Sequence, residues 1–142
     1  MAFLNISSKN KNGILRKIDD ERYLGLGLDD CTRLELFSFM VALGFERGYP
    51  SDFDGSKESL VREEYTKNSN ICYAFSALYF NENKDKVEEI ADTDKVFALA
   101  DKYANTGFSV MADYINEYSQ NALAMKLLAD MDEMYDKYKD SF

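Results

Sequence analysis

Asp52 and Glu63 stand at the spacing of the first and last ligands of an EF-hand calcium loop. The interior breaks the pattern. Gly55 falls two positions early, Lys57 takes the place of the turn glycine, and Leu60 stands where an oxygen ligand is wanted. An Asx-type turn accounts for Asp52, Asp54 and Gly55 by local backbone preference. Glu63 and Glu64, beside Arg62 and Tyr65, are the nearest approach to paired carboxylates for acid/base work, whose pKa values split when both are buried together. Neighbours on a helix point about 100° apart, so adjacency alone does not put them in one site. Asp130, Asp132, Glu133 and Asp136 crowd the last segment. Asp132 and Asp136 share a face at i,i+4, and Glu133 is spaced to pair with Lys137. That strip reads as an acidic surface for a basic partner, as a DNA-like face, or as the commoner solvated helix side. Tyr103, Tyr114, Tyr118, Tyr135 and Tyr138 could stack on bases. Without basic residues around them, their spacing fits helix packing with the hydroxyls at the rim.

The absences exclude more than these clusters suggest. The 142 residues contain no histidine, which removes the Ser-His-Asp triad, Cys-His nucleophiles, histidine-ligated zinc and any histidine base. Cys31 and Cys72 are too few for a four-cysteine zinc site or a disulfide framework, and they point to a reducing cytosol. There is no Gly-rich phosphate loop. The N-terminus lacks the apolar core of a signal peptide, and no stretch is long and apolar enough for a membrane span, so a cytoplasmic protein without a membrane partner is expected. The net charge of −9 is uneven. Residues 1–28 hold five bases (Lys9, Lys11, Arg16, Lys17, Arg22) against three acids, and the remainder carries −11. An acidic body repels phosphate, so DNA is a disfavoured partner except at the basic segment Lys9–Arg22.

The elements that must position these residues read as helices. With 46% apolar residues and a single proline at position 50, the chain is expected to be all-α, a compact bundle of about five to seven helices. Residues 1–13 read as a flexible N-terminal tail and 14–142 as a single helical domain. Leu24-Gly25-Leu26-Gly27-Leu28 alternates like a short pairing segment, weakened by its glycines. Thr32-Arg33-Leu34-Glu35 has the spacing of a capping box and starts a helix ended by Gly44 or Gly48. Residues 46–57 are loop, and 57–66 a mixed helix. Residues 69–81 form a second apolar helix, expected to be central. Asp85–Asp92 is a short helix. A helix capped by Thr93 or Asp94 is expected to break at Gly107 before another at 108–118. The last helix runs over 120–139 with the stripe Ala124, Leu127, Leu128, Met131, Met134, Tyr135 and Tyr138. The apolar excess of 32–45 and 69–81 permits a homo-oligomer, though burial explains it equally well.

Three stretches share an order with a known family. Phe37-Ser-Phe39-Met-Val-Ala42-Leu43-Gly44-Phe45-Glu-Arg47-Gly48 resembles the F-x-x-A-x-A-L-G-F-x-x-G block of the phosphorothioation-associated protein 4 type, small proteins that accompany bacterial DNA phosphorothioation (Dnd) systems. Leu60-Val61-Arg62 follows where that family carries Ile-Arg. Ala100-Asp-Lys-Tyr103-Ala104-Asn105-Thr-Gly107-Phe108 resembles its E-E-Y-A-N-G-G block. The order holds over about residues 30–118. Met40 replaces an alanine, Gly48-Tyr49-Pro50-Ser51 replaces a basic patch, and Glu63 follows Arg62 where an aromatic is usual. The resemblance implies the company of antiphage defence, modification or restriction components, and supplies no catalytic residue.

The expected function is therefore a non-catalytic accessory or adaptor subunit of a bacterial antiphage defence system, docking a larger protein component of a defence complex. No cofactor and no metal are expected. Arg47, Tyr49 and Arg62 near the loop, with Asp132 and Asp136 on the last helix, are the expected partner-binding residues. The alternatives are a DNA-binding module using the basic N-terminal segment with Arg47 and Arg62, and an acidic DNA-mimic inhibitor.

Overall fold

Thr32 opens a helix as its spacing requires. Its hydroxyl accepts the Glu35 backbone N–H at 3.1 Å, and the Glu35 carboxylate accepts the Thr32 N–H at 3.0 Å. The reciprocal pair satisfies two of the helix's orphan donors. In the computed structural model, which describes residues 3–66 and 69–139 but not the side chain of Tyr138, this helix is one of several around a small sheet. The order is β1 (Phe3–Ser7), α1 (Ser8–Asn10), a π-helical turn (Lys11–Leu15), α2 (Arg16–Glu21), α3 (Arg33–Arg47), β2 (Lys57–Arg62), α4 (Ile71–Glu82), α5 (Thr93–Glu117) and α6 (Gln120–Tyr138). Short 3-10 turns lie at Tyr23–Gly25, Glu63–Tyr65 and Val87–Ala91. Helix dominates, as the periodicity predicts. No helix among the described residues is long and apolar enough to cross a membrane.

The sheet corrects the all-α expectation at two places. Residues 3–7, read as part of a flexible tail, form a strand whose Leu4 and Ile6 are fully buried. Residues 57–62, read as helix, pair with them antiparallel, from Phe3 opposite Arg62 to Ser7 opposite Lys57. Short apolar runs do not distinguish strand from helix by pattern alone, and here a partner more than fifty residues away decides. The expected pairing segment, 24–28, is instead a turn in which Arg22, Leu24 and Gly25 all adopt left-handed backbone angles. The register slips between Leu4 and Asn5, leaving Leu60 as an extra residue in β2. There the Asn5 N–H leaves the ladder for the Asp101 carboxylate of α5 at 2.7 Å, and the Asn5 side-chain amide donates to the same group at 2.9 Å.

The core lies where α3, α5 and β1 meet. Along α5 the buried residues Val96, Ala100, Tyr103, Ala104, Gly107, Phe108, Met111 and Ile115 recur at helical spacing. Gly107 does not break this helix, which continues to Glu117, and Gly44 does not end α3, which continues to Arg47. Gly48 follows α3 with φ 178°, an extended conformation open to any residue. The two internal glycines mark the crossing. A methyl group on Gly107 would stand 2.7 Å from the Met40 carbonyl carbon, and one on Gly44 would stand 2.9 Å from the Tyr103 carbonyl carbon. The helices touch backbone to backbone, which only residues without a Cβ permit. The stretches 37–48 and 100–108 are thus the two sides of one crossing.

Helix α4 is less central than its composition suggests. Phe75 is its anchor, with its ring edge-to-face with Phe37 of α3 at 5.9 Å and with Phe97 of α5 at 6.4 Å. Tyr79 is also buried and donates to Glu89. Tyr73, Ala74, Ala77 and Phe80 remain exposed. Helix α6 follows Ser119, whose hydroxyl accepts the Ala122 N–H at 3.2 Å, and it buries only Leu123 fully.

Candidate docking surface

The sequence-expected partner residues do not form one site. Arg62, at the end of β2, is exposed and pairs loosely with Glu64 at 3.6 Å. It lies beside Thr32–Glu35, at the start of α3, across a cavity that both line. Arg47 ends α3 fourteen residues later, roughly 20 Å along the axis. Its guanidinium is already engaged: it donates to Asp130 of α6 at 2.6 Å, reaches Glu46 at 3.0 Å, and sits over the Tyr114 ring at 5.5 Å. Lys126 also reaches Asp130, at 3.5 Å, and the same ring. Arg47 thus fastens α6 to α3 and α5. Tyr49 is exposed, but its carbonyl accepts the Thr106 hydroxyl at 2.6 Å.

The acids of α6 divide between two sides. Asp130 turns inward to Arg47 and Lys126, while Asp132 and Asp136 point to solvent, Asp136 within 3.7 Å of Lys139. They do not make one continuous acidic face. The tyrosines are equally dispersed. Tyr103 and Tyr114 are buried, Tyr118 stands edge-on to Tyr114 at 6.1 Å, and Tyr135 is exposed; the side chain of Tyr138 lies outside the description. The basic segment is helical from Ser8 onward. Lys11 pairs with Glu58 at 3.3 Å and Arg22 with Asp30. Asp52 of the calcium-like loop pairs with Lys102 at 3.2 Å. Among the described residues no group of His, Cys, Asp or Glu is placed to hold a metal ion.

The loop itself is pinned by a residue the sequence reading left unused. Asn105, buried on α5, donates its amide to the Ser51 hydroxyl and the Asp52 carbonyl, both at 3.0 Å, and accepts from the Asn10 amide at 3.1 Å. Asn105→Ala leaves the loop's acceptors and Asn10 without this partner. It is expected to cost about 2 kcal/mol and to speed proteolytic cleavage between 48 and 56. Unchanged cleavage there would refute the pinning role.

The titratable groups serve packing. Asp101 is pushed up to about 6 by burial, against the pull of the two Asn5 donors and Lys57. Both donors are spent on holding β1. The thiols of Cys31 and Cys72 are raised by burial, which disfavours the reactive thiolate. Hydrogen bonding to Arg33 holds Asp19 below its ordinary value and ties α2 to α3.

Two surface cavities remain on α3, one mainly apolar and one mainly charged. Two cavities share Ala42 and Phe45 of α3. One, of 540 Å³, runs between α3 and α4 and is lined by Val41, Ala74, Phe75 and Leu78. The other, of 690 Å³, lies between α3 and α6 beside Asp130, Glu133, Met134 and Lys137. Together they form one trough along α3. Val41, Ala42 and Phe45 line it between α3 and α4, Glu46 and Arg47 towards α6, and Phe45, 51% exposed, stands at the junction with its ring edge-on to Tyr103 at 5.7 Å. No protein-family model matches this chain, and neither the curated proteins nor the solved structures hold a significant match to it.

Proposed function

We propose that this chain is a non-catalytic, cytoplasmic adaptor that docks a larger protein component of a bacterial antiphage defence system, of the DNA modification or restriction kind that the sequence resemblance implies. The trough along α3 carries the reading. Its α3–α4 part is apolar, with Phe45 at the edge, and its α3–α6 part carries charged residues of both helices, Glu46 and Arg47 facing Asp130, Glu133 and Lys137; an apolar groove continued by a charged one is a form that takes an amphipathic helix. The partner contributes an amphipathic helix whose apolar side chains meet Ala42, Phe45, Ala74 and Leu78. The engagement of Arg47 within the fold, and its distance from Arg62, weigh against the DNA-binding alternative.

The test is capture of the tagged protein's partners from its native host, followed by reconstitution with the purified partner. Ala42 is exposed and lines both cavities, so Ala42→Arg fills the trough without removing a core contact. The expected result is a stoichiometric protein partner bound by the natural chain and weakened at least tenfold by Ala42→Arg, with an unchanged melting temperature. Recovery of DNA without protein, or equal binding by both chains, would overturn the reading.

A further inference from the structure

Helix α6 carries a second apolar surface, separate from the trough. Leu123, Asp130 and Met134 share the side turned to the body, and Ala124, Leu128, Met131 and Tyr135 fall together about 110° away around the axis. Their spacing of four, three and four residues is that of a coiled-coil seam. Leu128, Met131 and Tyr135 are 56, 63 and 69% exposed, and Met125 on the flank is 68% exposed. Single exposed apolar residues need no explanation, but three in register along one helix, with a fourth on the flank, do.

We propose that this seam is the interface of an antiparallel homodimer, in which α6 of a second copy covers α6. Leu128, Met131, Tyr135 and the flanking Met125 expose roughly 500 Å² per copy, so pairing buries at most about 1,000 Å² in all, the size at which specific interfaces begin. The seam is self-complementary. Setting Leu128 against the second copy's Met131, and Ala124 against its Tyr135, keeps the two Asp132 carboxylates apart. Sliding by one heptad would set the two Asp132 groups side by side, where like charges repel. Charge also selects the direction. Each copy carries −9, so a parallel pair would press two acidic bodies together, whereas an antiparallel pair sends them to opposite ends. The proposal does not rest on the adaptor reading, since the seam and the trough lie on different faces.

Analytical ultracentrifugation of the full chain over about 1–300 µM tests this, a range that brackets a dissociation constant on the order of 10 µM. The natural chain is expected to pass from 16.3 kDa to twice that mass, and to do so at lower concentration as salt rises and screens the repulsion between the bodies. Met131→Asp places a carboxylate in the seam and is expected to weaken association at least tenfold, and Leu128→Asp likewise, each with an unchanged circular dichroism spectrum. Ala42→Arg is expected to dimerise like the natural chain. A natural chain that stays monomeric throughout, or a folded Met131→Asp chain that still dimerises, would overturn the proposal and leave the trough reading untouched.

Discussion

Gly107→Ala is expected to destabilise this protein by about 3 kcal/mol or more, and Gly44→Ala by a similar amount. Helix propensity pushes the other way, since alanine is favoured over glycine in a helix interior by about 1 kcal/mol. The crossing decides the sign. The added methyl at 107 meets the Met40 carbonyl, and at 44 the Tyr103 carbonyl, both backbone groups within helices that cannot step aside singly. The helices must separate, and the buried residues on either side of the contact, Met40, Phe37, Ala104 and Phe108, lose their packing together. Gly13 supplies the control. It is exposed within a helical segment with nothing near its Cβ position, so Gly13→Ala is expected to leave stability unchanged or raise it by up to about 1 kcal/mol. Urea denaturation of the three variants checks this. A Gly107→Ala chain as stable as the natural one would refute the close crossing.

The second large effect depends on pH. The Asp101 carboxyl has a pKa of about 6 in the folded protein against an ordinary 3.8, so between those values the folded chain holds a proton that the unfolded chain has lost. Its contribution to stability is therefore full below about pH 4 and is lost as the pH rises through 6, a change of about 3 kcal/mol. Asp101→Asn removes the titration. The amide still accepts the Asn5 backbone N–H but sets its own donor against the Asn5 amide, so it starts less stable than the protonated acid. The gap between natural chain and variant is expected to shrink by about 3 kcal/mol from pH 4 to pH 7 in paired urea titrations. Subtraction cancels the other carboxylates, such as Asp19 and Glu89, which sit below their ordinary values and act in the opposite direction. A constant gap would show that Asp101 is not the buried acid described.

These two sites also show what the sequence made legible. Local chemistry was readable: Thr32 and Glu35 form their box, and α3, α4 and α6 lie within two residues of their expected bounds. Long-range choices were not. Leu4 and Ile6 become a strand only because 57–62 lies opposite, and Gly44 and Gly107 read as helix ends until each is seen against the other's backbone. Asp101 resembled any helical acid, because its bulged strand partner lies 96 residues away. The candidate site was legible as single exposed residues, yet Arg47 and Asp130 spend their charges on each other. The trough emerges from residues such as Ala42 and Ala74 that carry no chemical signature. Apolar excess had been read as burial or self-association in α3 and α4, while the largest exposed apolar stripe lies on α6.

The adaptor reading is tested most directly by comparing Ala42→Arg with Arg62→Ala in the same co-purification from the native host, at about 50 and 300 mM salt, below and above the screening that charge contacts tolerate. The account predicts that Ala42→Arg loses a defined protein partner at both salt concentrations, that Arg62→Ala keeps it, and that nucleic acid is recovered with neither. A nucleic acid retained at low salt, released at high salt and lost on Arg62→Ala, with Ala42→Arg behaving as the natural chain, would contradict it.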